Sequence, residues 1–370
     1  MIKNEIKLPF SIKATSFIIG IFFLLAFLYI AQDIIVPIIL SVIIAIVLHP
    51  VVKFFERIGI NRIIAIIITL FLTFIIIVAF CALIFSQASS FSESWPVLVD
   101  KSTKVLNDIV IWISNYLDIN AQVINDWIIK TKGEIINNSS SAIGKTIVSL
   151  GNGLVILFLI PVYIFMILFY KPILLEFVYM LFGKINKSNV SEIITQIKSV
   201  IQRYLVGLVI EFVMVAILNT TALFILGIDY AILLGIIGAL LNLIPYIGGL
   251  VAVALPMMIA LATKSSAWFA IYVLVLYYII QLIDNNFIVP KIVASKVKIN
   301  ALFSVIVVIA GNALWGITGM FLSIPLLAIA KLIFDYIEPL KPWGFLLGDT
   351  MPTLLKIKPI RFWRKKTKSL

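Results

Sequence analysis

Two carboxylates stand where hydrocarbon should surround them. Glu211 lies about two turns into an apolar run at 205–226, between Ile210 and Phe212, and Asp284 closes another at 267–283, followed by Asn285 and Asn286. A carboxylate at the centre of a bilayer costs about 3 kcal/mol unless it is paired, protonated or in contact with water, so each is a candidate for carrying a proton or an ion. The plainer alternatives are a structural hydrogen bond or interfacial position for Glu211, and for Asp284 to Asn286 a helix cap and turn at the membrane surface. A third polar group, Asn242, precedes Pro245, Tyr246, Gly248 and Gly249 in the middle of the apolar stretch 229–263. Proline lacks the N–H a helix needs and paired glycines tolerate non-helical dihedrals, so the helix should break there. A second stretch, 301–330, should break around Gly311, Asn312, Gly316 and Gly319. Broken helices in lipid leave backbone N–H and C=O groups that protein or a water-lined cavity must satisfy, which makes both breaks candidates for a solute or ion path.

Other chemistry is excluded by what is missing. The chain has no His-Glu-x-x-His, Gly-x-Ser-x-Gly or Walker A sequence, and no soluble region large enough for an ATPase. An enzyme is therefore not expected, and no cofactor is implied. The single cysteine, Cys81, and single histidine, His49, leave no metal cluster and no intrachain disulfide. His49, next to Pro50 at the end of an apolar run, reads as an interfacial structural residue.

The elements that must position these groups are membrane helices. Of 370 residues, 62% are hydrophobic and 12% charged, with a mean hydropathy of +1.18, far from the roughly 25% charge of a soluble domain. The reading is an all-α polytopic membrane protein. Residues 1–85 hold three apolar runs, at 16–30, 34–48 and 63–85; 86–146 is an external amphipathic helical region; 147–170 is a fourth span with a kink expected at Pro161. A net positive amphipathic segment at 171–204 follows, then a C-terminal core with the two breaks at 205–335, and a basic tail at 336–370. Apolar positions such as Trp95, Leu98, Leu106, Ile109 and Ile113 recur at helical spacing between charged residues, and a weaker helix is expected at 123–136. Lysines and arginines concentrate before 16, at 49–62, at 171–203, at 284–300 and in the tail, whereas 86–146 has five lysines against six acids. The positive-inside rule then places both termini in the cytoplasm and 86–146 outside. By this topology the two broken segments enter from opposite sides, each half too short to span alone. The basic tail fits an anionic lipid surface better than a nucleic acid.

Three stretches together resemble a known family. They are Asn242-Leu243-Ile244-Pro245-Tyr246-Ile247-Gly248-Gly249, Asp284-Asn285-Asn286-Phe287-Ile288-Val289-Pro290-Lys291, and Gly311 with Gly316-Ile317-Thr318-Gly319-Met320 and Pro325. With Pro37, His49-Pro50 and Gly59-Ile60-Asn61-Arg62 upstream, their order and spacing resemble the AI-2E (autoinducer-2 exporter) family over almost the whole chain. The resemblance implies about eight membrane segments, a bacterial inner-membrane location, a transporter or permease role, and a homo-oligomer, a pentamer. It also implies a link to autoinducer-2 export or to sodium(lithium)/proton antiport.

Three functions stay open at this level. One is a secondary transporter or exporter of a small polar solute, in a path formed by the residues named above. Another is a sodium/proton antiporter with Glu211 and Asp284 as coupling carboxylates. The third is a membrane scaffold in which the breaks only bend helices.

Overall fold

A computed structural model describes residues 9–117, 158–181, 187–244, 248–293 and 299–349. Among them the chain is helical and has no strand, apart from one isolated bridge between Ile299 and Gly348. In lipid a helix satisfies its own backbone groups, and runs this apolar have no other stable choice. The helices are α1 (Phe10–Ile30), α2 (Gln32–Arg57), α3 (Arg62–Leu117), α4 (Phe158–Phe169), α5 (Lys171–Leu181), α6 (Lys187–Ile225), α7 (Ala231–Asn242), α8 (Gly248–Ala252), α9 (Ala254–Thr263), α10 (Trp268–Ile283), α11 (Ala301–Tyr336) and α12 (Lys341–Leu347). A π-helical segment, Asp284–Val293, continues α10.

Among the described residues five helices are long and apolar enough to cross a membrane, or six if α4 and α5 count as one bent span. This is fewer than the eight segments expected. The difference lies in short elements: the apolar part of α1 is Thr15–Ile30, and α7 and α9 have 12 and 10 residues. A 12-residue helix rises about 18 Å, against roughly 30 Å of hydrocarbon.

Three other expectations change in form. The third span and the amphipathic stretch 95–117 are one continuous helix of 56 residues, α3, which at about 84 Å runs well past any bilayer. The latter part of the amphipathic segment expected at 171–204 is continuous with the apolar run 205–226 in α6. The described part of the fourth span has Pro161 in its first turn and bends after Phe169, by 66°, where Pro172 occupies the first turn of α5 and needs no N–H. The helix expected at 123–136 lies outside the described residues.

Helix α6 is the central post. Ile201, Tyr204, Leu205 and Leu208 pack against Ile43 of α2 and Leu322 of α11, while Leu223, further along, joins α7, α9 and α10 through Leu234, Ile259 and Val273. A separate cluster, including Ala45, Ala65, Ile66 and Leu168, joins α2, α3 and α4. The outer faces of α1 and α3 are apolar and exposed, as lipid-facing helices are: Phe17, Phe22 and Ile30 on α1 and Phe71 and Ile76 on α3 all point outward.

Both broken stretches are helical hairpins. α7 runs antiparallel to α6, with Gly235 against Thr220, Gly238 against Asn219 and Asn242 beside Glu211. The chain then turns, and Gly248 returns directly onto the backbone of Leu241 and Asn242. In α11 the dihedrals leave the helical region at Trp315 and Gly316. Ser323 Oγ donates to the Val307 carbonyl at 2.8 Å, although 16 residues of straight helix would hold them about 24 Å apart. Gly311 and Gly319 face each other across the fold so closely that a methyl on either would overlap the other's carbonyl.

The hairpins enter from opposite ends of the bundle. α7 starts at the end where α6 finishes and points back along it. The tip of the α11 hairpin lies at that same end, where Trp315 Nε1 donates at 3.0 Å to the carbonyl of Leu28, two residues before α1 finishes. α1 finishes where α2 begins, and α2 is antiparallel to α6: Gln202 meets Ile46, and Lys198 lies near His49.

Candidate functional site

Three helical faces converge at the tip of the first hairpin. On α6, Glu211, Val215 and Asn219 are each four residues apart; on α7, Gly235, Gly238 and Asn242 are three and four apart; on α10 and its continuation, Tyr277, Gln281 and Asp284 are four and three apart. Such spacings put each trio on one face. The glycines of α7 lack the side chain that would hold it off α6: a Cβ at Gly235 would overlap Thr220, and one at Gly238 would press on the Asn219 amide and the Tyr277 hydroxyl. Small residues permit this close approach between membrane helices.

At the centre the Asn242 amide bridges the two carboxylates. Its Nδ2 donates to Asp284 Oδ2 at 2.8 Å and, at the long limit of a hydrogen bond, to Glu211 Oε1 at 3.5 Å. Both carboxylates are buried, Glu211 5% and Asp284 2% exposed, and among the described residues no cation is paired with either. Among the described residues, Asp284 Oδ1, Asn219 Oδ1 and the Tyr277 hydroxyl are buried without a hydrogen-bond partner. They border a small pocket with room for about one water-sized guest, lined by Asn219, Gly238, Asn242, Gly249, Tyr277 and Asp284 among others. Buried polar atoms are normally hydrogen-bonded, so three orphans around one pocket mark a place where a polar guest would be stabilised.

Asp284 is no surface cap. The helix continues through it into the π-helical Asp284–Val293, whose wider turn carries Pro290, and π segments recur at functional sites. Its neighbours Asn285 and Asn286 do lie at the exposed face, accepting from Gln281 Nε2 at 3.4 Å and donating to the Leu282 carbonyl at 2.8 Å. Gly249 lines the pocket against the end of Gln281, whereas Gly248 is buried against the hairpin backbone. Pro245 and Tyr246 lie outside the described residues.

The second set stands apart from this pocket. Gly311, Gly319 and the Ser323 hydroxyl close the α11 hairpin, Gly316 makes its turn with φ +60°, and Asn312 is exposed. Asn219, Tyr277 and Gln281, absent from the sequence-derived set, belong to the site. Their signal was spacing: each shares a face with Glu211 or Asp284 within two turns.

Hairpins from opposite ends, with carboxylates at one tip, occur in a chain whose residues 17–338 match the model of the AI-2E family transporters. The chain belongs to the AI-2E transporter family. Its relatives within or alongside this family include the AI-2 transport protein TqsA of Escherichia coli, 25% identical over 86% of this chain and 90% of its own length. A provisionally named transport protein of Bacillus subtilis, YrrI, is 23% identical over 85% of this chain and 90% of its own. Another from that organism, YueF, reaches 32% identity over 29% of each chain. An AI-2E family protein with these apolar helices is a polytopic membrane protein of a transporter family.

Proposed function

We propose that this AI-2E family member is a secondary transporter that moves a small polar solute past the Glu211–Asn242–Asp284 cluster. The observation that carries the reading is the set of orphaned buried polar atoms around a pocket at the tip of a hairpin. A helix hairpin that stops within the membrane and holds carboxylates there is the kind of site around which transporters alternate access. Autoinducer-2 enters as a candidate solute through the printed name of TqsA, a distant relative. In this reading the protein works as a homo-oligomer in a bacterial inner membrane, with both termini cytoplasmic.

A second reading has its own support. The pocket is bordered by the Asp284 carboxylate and the carbonyl oxygen of Asn219, with the Glu211 carboxylate reached through the Asn242 amide. Such oxygens suit a hard monovalent cation or a proton, as a sodium(lithium)/proton antiporter requires. Flux into proteoliposomes, measured for autoinducer-2 and for sodium with and without an imposed proton gradient, separates the two. Solute movement without sodium movement favours the exporter, and proton-driven sodium exchange favours the antiporter. No flux of any kind by folded protein leaves the scaffold.

A further inference from the structure

A second polar cluster lies at the other end of the bundle, where α2 finishes. His49 is buried there, 8% exposed, and its Nε2 meets the Lys171 ammonium at 2.5 Å. An ammonium offers only donors, so Nε2 accepts and the ring hydrogen is assigned to Nδ1. Nδ1 is buried and has no partner. Lys53, Arg62 and Lys198 lie within electrostatic reach of the same ring. Four cations, from α2, α3, α5 and α6, thus act on one buried imidazole. Glu56 is the carboxylate beside them, 4.0 Å from Arg62, and the Arg62 guanidinium is anchored by donating to the Leu168 carbonyl at 2.6 Å. Donors and positive charge exceed the acceptors that meet them.

An independent feature fixes the depth of this cluster. Lys171 opens α5, which leaves α4 at 66° and has no buried residue. Ile173, Phe177 and Met180 are 63%, 60% and 73% exposed. An apolar helix turned sharply out of the bundle with none of its residues buried lies along the membrane interface, its apolar side in the acyl chains. That places Lys171 at headgroup depth.

We propose that Lys53, Arg62, Lys171 and Lys198, with His49 Nδ1–H beneath them, form a binding site for a phosphate anion, carried by the headgroup of an anionic lipid. Basic pockets between membrane helices hold such headgroups, and a phosphate supplies the acceptors this cluster lacks.

The test is native mass spectrometry of the full chain released from nanodiscs of phosphatidylglycerol and phosphatidylcholine in equal parts. The wild type keeps phosphatidylglycerol in preference. Lys171→Gln with Lys198→Gln reduces that preference about 30-fold, the effect of two cations near a headgroup. Lys101→Gln with Lys104→Gln removes the same charge elsewhere and leaves it unchanged. Should the first pair fail to fold, Lys198→Gln alone gives a loss of about fivefold. Inorganic phosphate titrated into lipid-free detergent separates the sources. A rise in melting temperature for the wild type and not the variant, without any phosphatidylglycerol preference, assigns the site to a soluble phosphate. No preference and no phosphate effect, or equal effects in wild type and variant, overturn the site.

Discussion

Asn242→Ala removes the one group that ties the two carboxylates together. The bond to Asp284 at 2.8 Å is short and goes to an acidic group, while that to Glu211 at 3.5 Å is at the limit of contact. Hydrogen bonds to charged groups contribute about 1.5–3 kcal/mol in soluble proteins, and interhelical bonds in membranes reach about 1.7 kcal/mol at most. Asp284 Oδ1 is already unpartnered, so losing Asn242 strips the carboxylate of its side-chain donor. We therefore expect a loss of about 1.5 kcal/mol. A double-mutant cycle with Asp284→Asn should return a coupling of about 1 kcal/mol or more, and one with Glu211→Gln less than about 0.5 kcal/mol. The assay is equilibrium unfolding in mixed micelles titrated with a denaturing detergent. Equal couplings in the two cycles, or none in either, would refute the amide bridge.

The two glycines at the first hairpin tip should behave differently. Gly248→Ala drives a methyl into the Leu241 carbonyl and Asn242 backbone and should cost about 1–3 kcal/mol in the same assay. Gly249→Ser first meets the flexible end of Gln281, so it should change stability by less than about 1 kcal/mol while obstructing the pocket and lowering flux. Gly316→Ala, with open space around it but φ +60° and ψ −143°, should cost about 1–3 kcal/mol by backbone strain alone; an unchanged melting curve would contradict the turn. In a Cys81→Ser background, a cysteine at Ser102 should be labelled in intact cells and one at Ser369 protected; the reverse would invert the orientation.

The helical fold was legible because it depends on apolar run length, which sequence states directly. The two breaks were legible for the same local reason, in Pro245, Gly248 and Gly316. Glu211, Asp284 and Asn242 stood out as polar groups in apolar runs. That they meet was not legible, since it depends on α7 lying antiparallel to α6 through Gly235 and Gly238. Asn219, Tyr277 and Gln281 lacked charge, and only their spacing from the carboxylates marked them. Asp284 resembled a surface cap because the following Asn285 and Asn286 are polar; the π turn buries it and exposes them. Helix boundaries at 86 and 204 were drawn where charge appears, but α3 and α6 run through both, since a helix with satisfied backbone need not stop at a membrane surface.

The central claim is that the carboxylate cluster serves transport rather than folding. Glu211→Gln and Asp284→Asn keep side-chain shape and remove charge, so gradient-driven flux in proteoliposomes, measured on variants that insert and melt like the wild type, tests it most directly. The account predicts that both variants lose that flux. Flux equal to the wild type in both would contradict it.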